Sequence, residues 1–221
     1  MSPDPTFTLP LAFEYVATVL WALSGSLVAA RRGYDIAGIV MIALVSATGG
    51  GLLRDGIFIN DGPPLALRSP TAVVLSVLVA MGVWLLGHRI DRLPHFATSI
   101  MLLDAVGIGA FGLVGLQLAM AAGLSIPASV FVGVVNATGG EVLRDVLTRR
   151  EPTIFKPGTP SALAALAGCL LFLLLAVPAR LDGAVAGVIS VVAVFLIRVV
   201  SIRYGVRTRP APGFEPGKDG R

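Results

Sequence analysis

Charge is scarce in this chain. Only 14% of its 221 residues are Asp, Glu, Lys or Arg, against about a quarter in an ordinary soluble domain. With 55% hydrophobic residues and a mean hydropathy of +0.86, so few ionisable groups cannot cover a water-facing surface, and a soluble globular domain is excluded. Cysteine is almost absent. The single Cys169 rules out a disulfide framework within one chain, and its place in an apolar run reads as a small buried side chain. Histidine is limited to His88 and His95, which flank a short loop and read as interfacial. No metal cluster, nucleophile–base pair or phosphate-binding loop accompanies them, so no enzyme, metal site or cofactor is expected. The stretch Gly107-Ile108-Gly109-Ala110-Phe111-Gly112 begins a smooth packing face and lacks the spacing of a dinucleotide fingerprint.

Long apolar runs dominate instead. Seven of them, at about 9–30, 36–58, 70–87, 96–119, 126–147, 160–178 and 183–201, are long enough to be membrane spans. Connections are short, which leaves one transmembrane domain over 1–202 and a Pro/Gly-rich basic tail, 203–221, expected to be disordered. Span one resembles a cleavable leader only weakly, because it has no basic flank and Glu14 interrupts its start. The net charge of +4 lies in loops and tail, where it reads as a topology signal rather than a nucleic-acid surface. Twelve Lys and Arg fall on the side of loops one, three, five and the C-terminus, against Arg68 and Arg180 on the other. The positive-inside rule then places the N-terminus outside and the C-terminus in the cytoplasm.

Within these runs the segment Ala47-Thr48-Gly49-Gly50-Gly51-Leu52-Leu53-Arg54-Asp55 returns ninety residues later as Ala137-Thr138-Gly139-Gly140-Glu141-Val142-Leu143-Arg144-Asp145. The same offset aligns Glu14 with Asp104, Gly25 with Gly115, Gly33 with Gly123, Ile36 with Ile126 and Pro70 with Pro160. The repeat unit is therefore three spans (about 9–90 and 96–180), with span seven left over. An odd number of spans inserts the second copy upside down, which predicts an inverted repeat about an axis in the membrane plane. The expected fold is an all-α membrane protein of seven transmembrane helices, an inverted three-plus-three repeat with one extra C-terminal helix.

Both glycine runs lie about thirteen residues into their spans, near the bilayer midplane at about 1.5 Å per residue. Consecutive glycines weaken a helix by about 1 kcal/mol each relative to alanine, which predicts a kink or local unwinding at each. Carbonyls freed there, from Ser46 to Thr48 and from Asn136 to Thr138, together with the side chains of Thr48, Asn136 and Thr138, are suited to replace a cation's hydration shell. The competing reading is tight helix packing; two repeat-related breaks favour a pathway. The charges pair by depth: Glu14 with Arg54 near the outer side, Asp104 with Arg144 near the inner side. Asp55 and Asp145 project about 100° from their arginines, and are expected to pair elsewhere or to sit at pore mouths and draw in cations. The opposing view is that all six charges only lock the bundle. Glu141, which replaces Gly51 in the second copy, is a cation site, a proton sensor or a partner for Arg144. Arg198 reads as snorkelling to the inner surface.

These features together, above all Gly50-Gly51-Leu52-Leu53-Arg54-Asp55 and Gly139-Gly140-Glu141-Val142-Leu143-Arg144-Asp145, resemble the prokaryotic branch of the trimeric intracellular cation (TRIC) channels, also described as a glycine-transporter domain family. The resemblance spans about 10–200. It implies a homotrimer with one pore per subunit, permeable to potassium and other monovalent cations and running past kinked spans two and five, with K+ or Na+ bound in transit. The pore role carries over to Gly49, Gly50, Gly51, Gly139 and Gly140, and to Arg54, Asp55, Arg144 and Asp145. It also implies a prokaryotic inner membrane, with lipids, monovalent cations and further copies of the chain as partners. The alternative is a secondary transporter for glycine or another small zwitterion, since half-helix ends suit a carboxylate as well as a cation.

Overall fold

The computed structural model describes residues 11–60, 62–68, 70–90, 96–155 and 161–206. The regular elements among these residues are all helical: α1 (Leu11–Arg31), α2 (Ile36–Leu53), α3 (Leu65–Arg68), α4 (Thr71–Ile90), α5 (Phe96–Ala121), α6 (Ile126–Leu147), α7 (Ser161–Ala176) and α8 (Gly183–Arg203). The seven main helices coincide with the seven expected spans. The one-turn α3 and a 3-10 turn at Thr153–Phe155 lie in connections. The remote tail beyond residue 206, the loop 91–95 that carries His95, and Lys156 and Pro160 lie outside the described residues.

Local chemistry explains the boundaries. Asp35 caps α2 by accepting from the Gly38 N–H at 2.8 Å, and Asp182 caps α8 by accepting from the Ala184 and Val185 amides at 2.9 and 3.2 Å. The ends of α1 and α5 are two copies of one turn. Gly33 (φ 73°) and Gly123 (φ 82°) take the left-handed conformation. The next amides, of Tyr34 and Leu124, reach back to the Ala29 and Ala119 carbonyls at 3.2 and 3.1 Å. This is the closure that glycine permits after a helix.

Packing follows the repeat. α1, α2 and α4 pack on one another, as do α5, α6 and α7. The two units meet across α2–α6 and α1–α5, and α8 packs on α5 and α7 of the second unit. Alanine and serine fill the interior around Trp21, Ile108, Leu113, Leu116 and Phe172. Large apolar side chains such as Met41, Leu78, Leu174 and Leu196 face outward. Such an inside-out distribution suits a lipid surround, where apolar side chains need no burial and small residues let helices approach.

Candidate functional site

At the centre α2 crosses α6, and glycine makes the crossing possible. A Cβ on Gly50 would lie 2.1 Å from the Asn136 carbonyl oxygen, and one on Gly140 would lie 2.2 Å from the Ser46 carbonyl oxygen. One residue earlier, a Cβ on Gly49 would meet Leu143 at 2.7 Å, and one on Gly139 would meet Leu53 at 2.9 Å. Ser46 and Asn136, like Leu53 and Leu143, are repeat equivalents, so each contact is answered by its partner across a pseudo-two-fold axis between the helices.

Of the expected kink or local unwinding, the unwinding does not occur. α2 and α6 stay α-helical through their glycine runs, so the carbonyls of Ser46 to Thr48 and Asn136 to Thr138 remain within the helical ladder. The Thr48 and Thr138 hydroxyls donate to the Leu44 and Val134 carbonyls, each at 2.8 Å. The propensity cost of glycine is offset because only glycine allows the two backbones to touch. The departure from α geometry comes afterwards, where α2 continues as a π-helical turn, Arg54–Ile59, that ends at left-handed Asn60 (φ 49°). Such turns widen the helix and redirect side chains.

Arg54 stands on that turn. Its Nε and Nη2 donate to Asp55 Oδ1 and Oδ2 at 2.5 and 2.8 Å, and its Nη1 reaches Asn136 Oδ1 at 3.5 Å. Asn136 Nδ2 in turn donates to the Phe111 carbonyl at 2.6 Å, so one amide links α2, α5 and α6. Asp55 also accepts from the Leu65 N–H at 2.7 Å, and with Arg68, Pro63 and Leu118 it lines a recess of about 200 Å³ at this end of the bundle. Glu14 is half-buried. It lies within electrostatic reach of Arg54 and Asp55 but forms no ion pair with Arg54, contrary to expectation; Asp55 has taken its place.

The second copy is more deeply built. Arg144 Nε donates to Asp145 Oδ1 at 3.0 Å. Its Nη1 donates to Ser24 Oγ at 2.7 Å and lies 3.4 Å from both Asp104 oxygens, and its guanidinium sits 5.8 Å from the Trp21 ring centroid. The Asp104–Arg144 pair thus forms as expected. Of the two alternatives for Asp55 and Asp145, pairing away from their arginines does not occur: each binds the arginine beside it. A long guanidinium stem spans the 100° between adjacent positions, and a low-dielectric interior rewards the nearest counter-charge.

Arg198 also departs from its expected place. It is 3% exposed, on the face of α8 that carries Gly187, Ser190, Val194 and Ser201 inward, and it does not snorkel. Glu141, 3% exposed, and Asp104 are the carboxylates that act on it, and Glu141 acts on Arg144 as well. Sequence reasoning missed Ser24, Trp21 and the inward face of Arg198. A serine in an apolar run and an arginine five residues from a helix end give no sign of which way they point. Cys169 is buried as expected, with Sγ 3.6 Å from the Gly112 carbonyl.

The profile of the glycine transporter family matches this chain twice, over residues 11–88 and 101–177, once in each repeat. The chain is 29% identical over 211 residues to the UPF0126 inner membrane protein YadS of Escherichia coli, covering 94% of this chain and 97% of that one. It is 31% identical over 206 residues to a UPF0126 membrane protein of Deinococcus radiodurans, covering 91% and 93%. Among solved structures, the TRIC trimeric intracellular cation channel orthologue from Rhodobacter sphaeroides superposes with a TM-score of 0.81 at 28% identity, over 89% of this chain and 98% of that one. A prokaryotic TRIC channel crystallised in 0.5 M KCl superposes with a TM-score of 0.78 at 26% identity, over 88% and 95%. The inverted pair of three-helix units, the glycine crossing and these matches agree: the chain belongs to the glycine transporter (UPF0126) family of multi-pass membrane proteins and has the TRIC channel fold.

Proposed function

We propose that this protein is a monovalent cation channel, permeable to potassium, that assembles as a homotrimer with one pathway in each subunit, in an inner membrane with its C-terminus cytoplasmic. The observation that carries this reading is the pair of charged clusters flanking the α2–α6 crossing, in a fold shared with solved cation channels. Buried ionisable groups in a membrane bundle mark a polar route by default. Each cluster holds one more carboxylate than guanidinium: Glu14 and Asp55 against Arg54, and Asp104, Glu141 and Asp145 against Arg144 and Arg198. A net negative interior draws cations and repels anions.

The crossing itself is too tight for an ion, since even a methyl group would overlap backbone there. The route therefore runs beside the crossing, past the Thr48 and Thr138 faces, from the Asp55 recess towards Asp145. Planar-bilayer recording under potassium and sodium gradients tests the reading. Unitary currents that reverse at the cation equilibrium potential support it, and their absence overturns it. Asp145→Asn and Arg144→Ala are expected to alter conductance or selectivity; both unchanged would remove these residues from the pore.

A second reading, transport of glycine or a similar zwitterion, draws on the family's name and on the guanidinium and carboxylates held together at Arg144. Saturable, stereospecific uptake into vesicles without unitary currents would favour it.

A further inference from the structure

Seven charged side chains are buried among the described residues, and Arg198 alone of these belongs to neither repeat. Its depth follows from helix packing. On α8, Val191 and Val194 abut Gly109 of α5, where a Cβ would lie 3.2 Å from the Val191 Cα and 3.4 Å from the Val194 Cβ. One turn further along α8 is Arg198. Five residues back along α5 is Asp104, bound to Arg144. On α6, Ala137 faces Gly112 of α5, where an added Cβ would lie 3.5 Å from the Ala137 Cβ, and one turn towards the same end is Glu141. Three helices thus bring Arg198 and Asp104 to about one level, with Glu141 in the same half of the bundle about one turn nearer the crossing. The Nε and Nη1 of Arg198 have no hydrogen-bond partner, so packing against α5 and α7, rather than a tight ion pair, holds this guanidinium inside.

Among the described residues the first repeat has no such group. Glu141 stands where the first copy has Gly51, at which an added Cβ would lie 3.7 Å from Arg54 Nη2. The substitution adds one negative charge to the second half, and Arg198 adds one positive charge from outside the repeat. With both present the two halves carry the same formal charge of −1, from two carboxylates and one guanidinium in the first and three carboxylates and two guanidiniums in the second.

On the reading that this protein conducts cations, we propose that Arg198 is a tethered counter-charge to Glu141 that sets how strongly the second half of the pathway attracts a permeant cation. The guanidinium takes part of the carboxylate field that a potassium ion would otherwise occupy. Removing it leaves that half at −2; removing Glu141 instead leaves it at 0; removing both returns it to −1.

A two-part experiment on Arg198→Gln, Glu141→Gln and the double variant tests this. Thermal melts of the purified full chain come first, with Arg198→Lys as a charge-preserving control. Each single change strands an opposite charge in the interior, so both singles melt lower than wild type, and the double melts no lower than the worse single. Additive losses in the double overturn the coupling. Single-channel recording in symmetric KCl follows, with orientation assigned by protease access to a C-terminal tag. Arg198→Gln raises the current that enters from the Arg144 end by roughly two-fold relative to the opposite direction, the effect of one charge about 10 Å away in water. Glu141→Gln shifts the ratio the opposite way, and the double falls between the two. Singles that shift the ratio in the same direction overturn the proposal. A wild-type protein that passes no current overturns the channel reading instead, while the melting cycle still decides the coupling.

Discussion

Gly50→Ala and Gly140→Ala are each expected to prevent stable folding, although alanine is the better helix former. Intrinsic propensity favours the substitution by about 1 kcal/mol. Against this, the new methyl carbon would stand 2.1 or 2.2 Å from a backbone carbonyl oxygen of the facing helix, where contact requires more than 3 Å. A flexible side chain could swing aside, but a carbonyl within a helix cannot. α2 and α6 would have to separate along their whole contact, which costs more than the usual ~1–3 kcal/mol of an overpacked core, and would also part Arg54 from Asn136. Detergent-extracted yield, monodispersity and melting temperature are the measurements. The control is Gly56→Ala, with nothing within 4 Å of the added carbon, which should fold as well as wild type or better. Folding of the Gly50 and Gly140 variants at wild-type stability would show that the crossing is looser than described.

Arg144→Met should have the largest effect among the charges. It strands Asp104 and Asp145, 7% and 2% exposed, and removes the partner of Ser24. Breaking one member of a buried network of this kind costs about 3–5 kcal/mol. Arg54→Met should cost less, because Asp55 keeps the Leu65 N–H and opens onto the recess. Combining Arg144→Met with Asp104→Asn should recover part of the loss by removing a stranded charge. Melting temperatures of the three variants check the order. Equal losses at Arg54 and Arg144 would contradict the asymmetry between the halves.

The expectation of local unwinding at the glycines was wrong for a physical reason. Helix propensity is a property of one chain in isolation, and it predicts a weak point at Gly49-Gly50-Gly51. Here a second helix, itself weakened at Gly139-Gly140, supplies a surface that only glycine can meet, and backbone packing offsets the intrinsic cost. The π turn at Arg54–Ile59 was likewise invisible, because nothing in Arg-Asp-Gly-Ile-Phe-Ile distinguishes it from an ordinary helix end. The second copy, with the same Arg-Asp, stays α-helical to Leu147. The inward Arg198 could not be read from α8 alone, since its apolar residues surround the helix and give no preferred face.

The sequence by itself determined the seven spans, the repeat and its inversion, because lipid demands unbroken apolar helices and an odd count must turn the second copy over. Depth in a span, which follows from residue number, pointed to the Asp104–Arg144 pair, but the same argument failed for Glu14 and Arg54 and so did not decide the pairing. Only the tertiary structure decided which charge answers which at short range, that the glycines join helices rather than break them, and that Arg198 enters the second cluster. Those outcomes depend on the rotation and crossing of helices about one another, which small residues permit in several ways and which only packing selects.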